Sequence, residues 1–360
     1  MASTLCLAED ADRVILQGRE ATASFALAGG GLIELRLNGN SINPLNWEVA
    51  QDRQQNKTEK PHPQGHFLCL DRWGAPSKAE LAKGIPFHGE APYRKWKIKQ
   101  APTLADGQMH TSMTCELPLA GLEVERQVVL DTNSTAMVVS ETVKNVGRLG
   151  RLYNMVQHPS IAPPFLDDTT IVNSNASAGF SQQGPIPDLD RDANRWPNMR
   201  IGGAVEDLRY FRGNAAGGTD GESDVSSFVF ASDQKLGWVT AVHSKSRLLL
   251  GYLWSTADYP WLNIWRFRKG NSVLARGLEF GTTGYHQPFP VLVKQHKILD
   301  RQLYAYLDAE ESHARSYIAF VAAVPEDFRD VTKLTYADGN IVVHEYNNRL
   351  IRIPLTKLPW

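Results

Sequence analysis

A two-residue period runs through most of this chain, and it constrains the fold more than any other feature. Leu122, Val124 and Val128 alternate with Glu123, Glu125 and Gln127, and Arg126 falls in register with the apolar set. Successive side chains of a strand point to opposite faces, so such a run is half-buried only when extended. The turn-prone Asp131-Thr132-Asn133-Ser134 then leads into a second strand, Ala136 to Val143, which predicts a hairpin. Gly29-Gly30-Gly31 divides Phe25 to Leu37 into another strand pair. Asp338-Gly339 between Lys333 to Tyr336 and Ile341 to Tyr346 is a strong hairpin signal, and Arg349 to Leu355 makes a last strand. Further strands are expected at Phe228 to Ala231, Gly237 to His243, Arg247 to Trp254, Leu262 to Phe267 and Val273 to Phe280. Helix signals are confined to Pro76 to Lys83 and a turn or two at Pro325 to Val331. The expectation is an all-β chain, a large sandwich with few short helices. No repeated blade signature supports a propeller, and no break in composition divides residues 1–360, so a single domain is expected.

Charge narrows the function classes. The 360 residues carry 38 basic and 39 acidic side chains, a formal net charge of −1. That balance makes no electrostatic case for nucleic acid or an anionic membrane as partner. No apolar run approaches the roughly 18 residues that would suggest a span. Met1 to Asp12 carries Glu9, Asp10 and Asp12 in place of a basic leader, so a cytoplasmic protein is expected. The cysteines Cys6, Cys69 and Cys115 have no framework spacing and are expected to be reduced thiols. Oligomeric state is not encoded in any of these features.

Several clusters carry candidate chemistry. Leu70-Asp71-Arg72-Trp73-Gly74 is followed by Pro86-Phe87-His88-Gly89-Glu90 and then Trp96. Aromatic faces stack on the C–H faces of sugars while Arg and His donate to hydroxyls, so the mixture suits a sugar pocket. It equally suits a loop with one buried Trp and a surface Arg. His158 ends an apolar run that begins near Leu149, a place where a core histidine is more common than a catalytic one. Glu279 alternates with Leu278 and Phe280 and so faces away from them. On a solvent face it is an ordinary strand residue; on a concave face it is a carboxylate held rigidly enough to act as a base. Asp220, Glu222 and Asp224 precede a strand and read most simply as an acidic turn. His66, His88, His158 and Glu279 could in principle converge on zinc or manganese, although their spacing does not demand it, and no metal is expected. No nucleophile elbow, Walker loop or dinucleotide fingerprint is present.

Taken in order, these clusters resemble the galactose mutarotase-like (aldose 1-epimerase) superfamily: Arg72, then His88-Gly89 with Trp96 downstream, then His158, an Asp, and Gly277-Leu278-Glu279 on a late strand. Gly31-Leu32-Ile33-Glu34-Leu35, Arg126 to Gly147 and Tyr259 to Trp265 resemble its supporting segments, so the likeness spans roughly residues 20 to 350. The resemblance implies a β-supersandwich with a sugar site on the concave face of its large sheet. It implies Glu279 as general base and His158 as general acid, one on each side of the ring, without a cofactor. It implies Arg72, His88 and Asp224 as sugar-binding residues, with Asp220 as the alternative acid and Trp73 and Trp265 as aromatic contacts. A phosphorylated sugar would call on Arg94, Lys95, Arg266 or Arg268. The chain departs from the family after His158, where Pro159-Ser160-Ile161-Ala162-Pro163-Pro164 replaces an aromatic-rich segment. No second histidine lies between His158 and Asp224. These departures keep open a non-catalytic carbohydrate-binding protein on the same fold.

Overall fold

The computed structural model describes residues 12–49, 61–183, 194–201, 204–211 and 222–360. Among them the expected alternation becomes two large antiparallel sheets, one of eleven strands and one of eight. The hairpin around Asp131 is present as Leu122–Asp131 and Ala136–Asn145, paired from Leu122↔Asn145 to Leu130↔Met137. Both strands lie in the eight-stranded sheet, beside Ser312–Ala323 and Gln108–Leu117. The sheets pack face to face on one apolar core, with Phe25, Leu68, Leu262 and Phe280 from the larger meeting Val128, Val139, Leu250 and Tyr252 from the smaller. Phe280 stacks on Trp254 with centroids 4.2 Å apart.

A second apolar layer covers the other side of the eight-stranded sheet. There the C-terminal strands Val331–Ala337, Asn340–Glu345 and Leu350–Pro354 lay Leu334, Ile341, Val343 and Ile353 against Trp238, Leu249, Ile318 and Phe320. The outer face of the eleven-stranded sheet is the one left to build a cavity.

The interlayer core is not wholly apolar. Arg126, in register with the apolar set of its strand, is fully enclosed and ion-paired through Nε to Glu141 Oε1 at 2.7 Å. Its guanidinium also donates to Gly30 O and lies 4.4 Å from the ring centre of Trp96. Gln157 Nε2 donates to the other Glu141 oxygen at 2.6 Å and to Tyr259 Oη at 3.2 Å, while Gln157 Oε1 lies 3.1 Å from His66 Nε2. A charge removed from water is tolerable only when paired and hydrogen-bonded, and this network meets that condition.

Helix is scarce, as expected. Lys78–Ala82 starts at a capping box, Ser77 with Glu80. Phe289–Gln295 was not signalled by any periodicity, since only Leu292 of it is buried. Pro325 to Val331 forms no helix: a single turn bond, Phe328 N to Pro325 O, leads directly into the Val331 strand. The acidic run before Phe228 is also different from expectation, because Glu222–Val229 is one strand and Asp224 lies within it. Cys69 and Cys115 are buried free thiols; Cys6 and Asp220 lie outside the described residues. No described helix is long and apolar enough to cross a membrane.

Candidate functional site

Five neighbouring strands of the large sheet form the floor of the site, in the spatial order His66–Asp71, Arg151–Ile161, Ser272–Gly281, Trp261–Lys269 and Glu222–Val229. All pairings are antiparallel, with Phe67 opposite His158, Trp265 opposite Gly277 and Val225 opposite Trp265. Glu279 falls beside His158, since Phe280 pairs with Gln157 and Gly277 with Ser160. Strand alternation therefore sends Gln157 and Phe280 into the interlayer core and His158 and Glu279 to the outer face. Above that face is a cavity of about 490 Å³.

His158 and Glu279 form its centre. His158 Nε2 lies 3.2 Å from Glu279 Oε1, and the carboxylate side chain is only 1% exposed. Trp73 Nε1 donates to the second oxygen, Oε2, at 2.7 Å. On the far side of the imidazole, Nδ1 lies 3.0 Å from Ser160 Oγ, whose hydroxyl donates to His158 O at 3.4 Å. That pattern assigns the proton to Nδ1 and turns the Nε2 lone pair towards Glu279. Phe67 stacks on the ring at 4.2 Å and holds its plane.

Burial governs the charge states here. It pushes the Glu279 carboxyl well above the usual carboxylate range, and the Trp73 hydrogen bond only partly opposes it. It pushes His158 down to about 3. Both shifts favour the uncharged forms. A carboxylic acid facing an imidazole holds the same number of protons as a carboxylate facing an imidazolium. The two residues can therefore pass a proton between roles without taking one from solvent.

The loop from Trp73 to Gly89 supplies the wall. His88 takes a left-handed conformation (φ 65°) and Gly89 follows with φ 78°. A Cβ at Gly89 would lie 1.9 Å from Leu70 O, so only glycine lets the loop close on the strand. The Gly74 N–H donates to His88 Nδ1 at 3.1 Å, which leaves the ring proton on Nε2 as a donor for the cavity. Burial lowers the His88 pKa well below its ordinary value, with His158 and His286 adding to the effect. His286 packs edge-on to Trp73 at 4.6 Å and burial pushes it down to about 4.

His158, Glu279, His88, Trp73 and Trp265 all line the cavity. Arg72 does not. Its guanidinium is held by Asp71 Oδ2 at 2.7 Å and Glu80 Oε2 at 2.9 Å, and so serves the loop's own anchoring. Asp224 does not either. Ser223 and Val225 face the cavity, so the residue between them faces the opposite way. There Asp224 pairs with Arg266 at 3.0 Å, and Arg266 also holds Glu206 at 2.7 Å. Neither Arg266 nor Arg94, Lys95 or Arg268 lines the cavity. His66 faces the interlayer side, and among the described residues no three of His, Cys, Asp and Glu converge as metal ligands.

The aromatic and histidine lining residues that sequence reasoning missed include Trp47, Phe67, Phe87, Phe267 and His286. Phe87 was quoted only as a neighbour of His88. The signal for His286 was its place in Gly284-Tyr285-His286, just beyond the Glu279 strand.

No protein-family model matches the chain, and no curated protein matches it in sequence. Solved structures do match. A galactose mutarotase-like protein from Lactobacillus casei superposes with a TM-score of 0.57 at 13% identity, covering 86% of this chain and 100% of that one. A galactose mutarotase-like protein from Clostridium acetobutylicum gives 0.56 at 12%, covering 86% and 95%. A galactose mutarotase related enzyme from Lactobacillus acidophilus gives 0.56 at 9%, covering 87% and 98%. At such identities the likeness establishes the galactose mutarotase-like fold, which is the fold the sequence resemblance implied.

Proposed function

We propose that the protein interconverts the α and β anomers of an aldose by cofactor-free acid–base catalysis, as an aldose 1-epimerase does. The observation that carries this reading is the 3.2 Å contact of His158 Nε2 with Glu279 Oε1 on the floor of an aromatic cavity. The two groups stand side by side, not on opposite sides of a ring as first expected. Mutarotation suits that arrangement, because the anomeric hydroxyl and the ring oxygen are both bonded to C1. Ionised Glu279 takes the hydroxyl proton as the bond from C1 to the ring oxygen breaks. Protonated His158 gives its Nε2 proton to that oxygen. The open-chain aldehyde forms, the C1–C2 bond rotates, and the same two protons return in reverse order. Glu279 gains one proton and His158 loses one, so the pair's total never changes. His88 and Trp265 are assigned to holding the sugar, by a hydrogen bond and by stacking.

Exchange spectroscopy between anomers, over a panel of aldoses, tests the reading directly. Acceleration by the wild type that disappears in Glu279→Gln is the expected result; full activity in Glu279→Gln would overturn it. One observation favours a second reading, a binding protein on this fold: Arg72 and Asp224 are both committed to ion pairs away from the cavity. Saturable sugar-induced shifts without exchange would select it.

A further inference from the structure

The cavity extends well beyond one sugar ring. Glu279 pairs with Asn263, Trp265 with Gly277 and Phe267 with Ala275. Asn263, Trp265 and Phe267 share the outer face, so the floor continues from the level of Glu279 to that of Phe267. Four residues of strand cover about 14 Å. Between Glu279 and Trp265 the described floor carries no side chain. Gly277 faces outward between Glu279 and Trp265, and a Cβ there would stand 2.6 Å from Glu279 Oε1 and 3.0 Å from Trp265 Cβ.

The far half of the floor is an aromatic platform. The rings of Trp265 and Phe267 are nearly parallel, with centroids 5.9 Å apart and planes 11° apart. Trp47 meets Trp265 edge-on at 5.7 Å, and Trp265 Nε1 is tied to Ser223 Oγ at 2.8 Å. All three aromatic side chains are half-buried. Large apolar side chains left partly open on a concave face mark a ligand groove more often than a core. A pyranose presents a C–H face that stacks on such rings, while its hydroxyl edge stays in water. No Arg or Lys is among the described lining residues, and Glu48 and Glu279 both are. A phosphate there would meet carboxylates without a cation.

We propose that the substrate is a neutral reducing disaccharide or longer oligosaccharide, its reducing ring over His158 and Glu279 with Trp265 beside it, and its next ring at the Phe267 end of the platform. The proposal rests on the anomer-interconversion reading for what happens at the reducing end, and on the platform alone for what binds beyond it. The experiment compares anomer exchange of maltose, cellobiose and lactose with that of glucose, galactose, glucose 6-phosphate and 6-O-benzylglucose. Wild type, Phe267→Ala and Phe267→Tyr are run in parallel. The expected result is a kcat/KM for at least one disaccharide about tenfold above that of its reducing monosaccharide. Phe267→Ala removes most of that excess, Phe267→Tyr retains it, and the monosaccharide rate stays within about twofold in both. Equal rates for mono- and disaccharide, an equal loss for all sugars in Phe267→Ala, or a preference for the phosphate or the benzyl ether overturns the proposal. If no sugar exchanges, the reaction assignment has failed by itself, and calorimetric titration of the same panel decides the platform. Tighter binding of a disaccharide that weakens in Phe267→Ala upholds it; equal or undetectable binding overturns it.

Discussion

Two buried glutamates stand on opposite sides of one strand, Arg151–Ile161, and they lead opposite lives. Glu141 reaches that strand from the interlayer side and touches Gln157; Glu279 reaches it from the cavity side and touches His158. Both side chains are at most 1% exposed. Glu141 is given a permanent cation, Arg126, at 2.7 Å. Glu279 is given a neutral indole donor and an imidazole that burial keeps uncharged. Burial therefore does not by itself mark function. The difference lies in whether the fold supplies a fixed countercharge, which locks a carboxylate into one state, or withholds it, which leaves the proton mobile.

The same isosteric substitution should separate them. Glu279→Gln is expected to cost about 10²–10⁴-fold in anomer exchange, the usual worth of a positioned base. It should not cost stability. Because the folded pKa of Glu279 is raised, ionising it is disfavoured in the native state, so the wild type loses stability as pH rises above the ordinary carboxylate range. Gln removes that penalty, and denaturant unfolding at pH 7 should show a gain of about 1–2 kcal/mol. Glu141→Gln should do the reverse. It leaves Arg126 buried without its countercharge, and unfolding should show a loss of about 3–5 kcal/mol. If both variants are destabilised alike, the contrast between the two glutamates is wrong.

This contrast explains what could be read from the sequence and what could not. Glu279 was visible as the odd member of Leu278-Glu279-Phe280, and Arg126 as a charge in an apolar register, because alternation is local. Which face is concave is not local; it depends on strand order, here His66–Asp71 beside Arg151–Ile161 beside Ser272–Gly281. Asp224 shows the sensitivity. A shift of one residue turns a strand side chain to the other face, and Ser223 and Val225 hold the cavity positions. Arg72 precedes Trp73 in the same short turn, but only the fold reveals that Glu80 of the capping box reaches back to claim it. His286 had only its place just beyond the Glu279 strand to mark it, since it sits in a loop whose meaning comes from packing against Trp73.

Acid should weaken the folded state through the cavity's histidines. His88, His158 and His286 all have folded pKa values depressed by burial, the last two to about 3 and about 4. The unfolded chain takes up these protons below about pH 6.5. Stability is thus fully present above that pH and lost as pH falls towards 4. Urea unfolding across this window should show a slope that His286→Gln reduces by up to about 1.4 kcal/mol per pH unit. An unchanged slope would mean that His286 is not held neutral by its surroundings.

The smallest expected effect is the most diagnostic of how Glu279 is tuned. Trp73 Nε1 is its hydrogen-bond donor from the protein, at 2.7 Å, and that bond opposes the upward push of burial. Trp73→Phe keeps an aromatic wall and deletes the donor. A hydrogen bond to a charged group is worth about 1.5–3 kcal/mol, and 1.36 kcal/mol corresponds to about one pKa unit. The Glu279 pKa should rise further, so the alkaline limb of kcat/KM, where the pair loses its one proton to solvent, should move up by about one to two pH units. A residue that merely fills space would lower the plateau and leave the limb in place. That result would make Trp73 part of the wall alone, and the proton affinity of Glu279 would then rest on burial, without a fixed countercharge such as Arg126 gives Glu141.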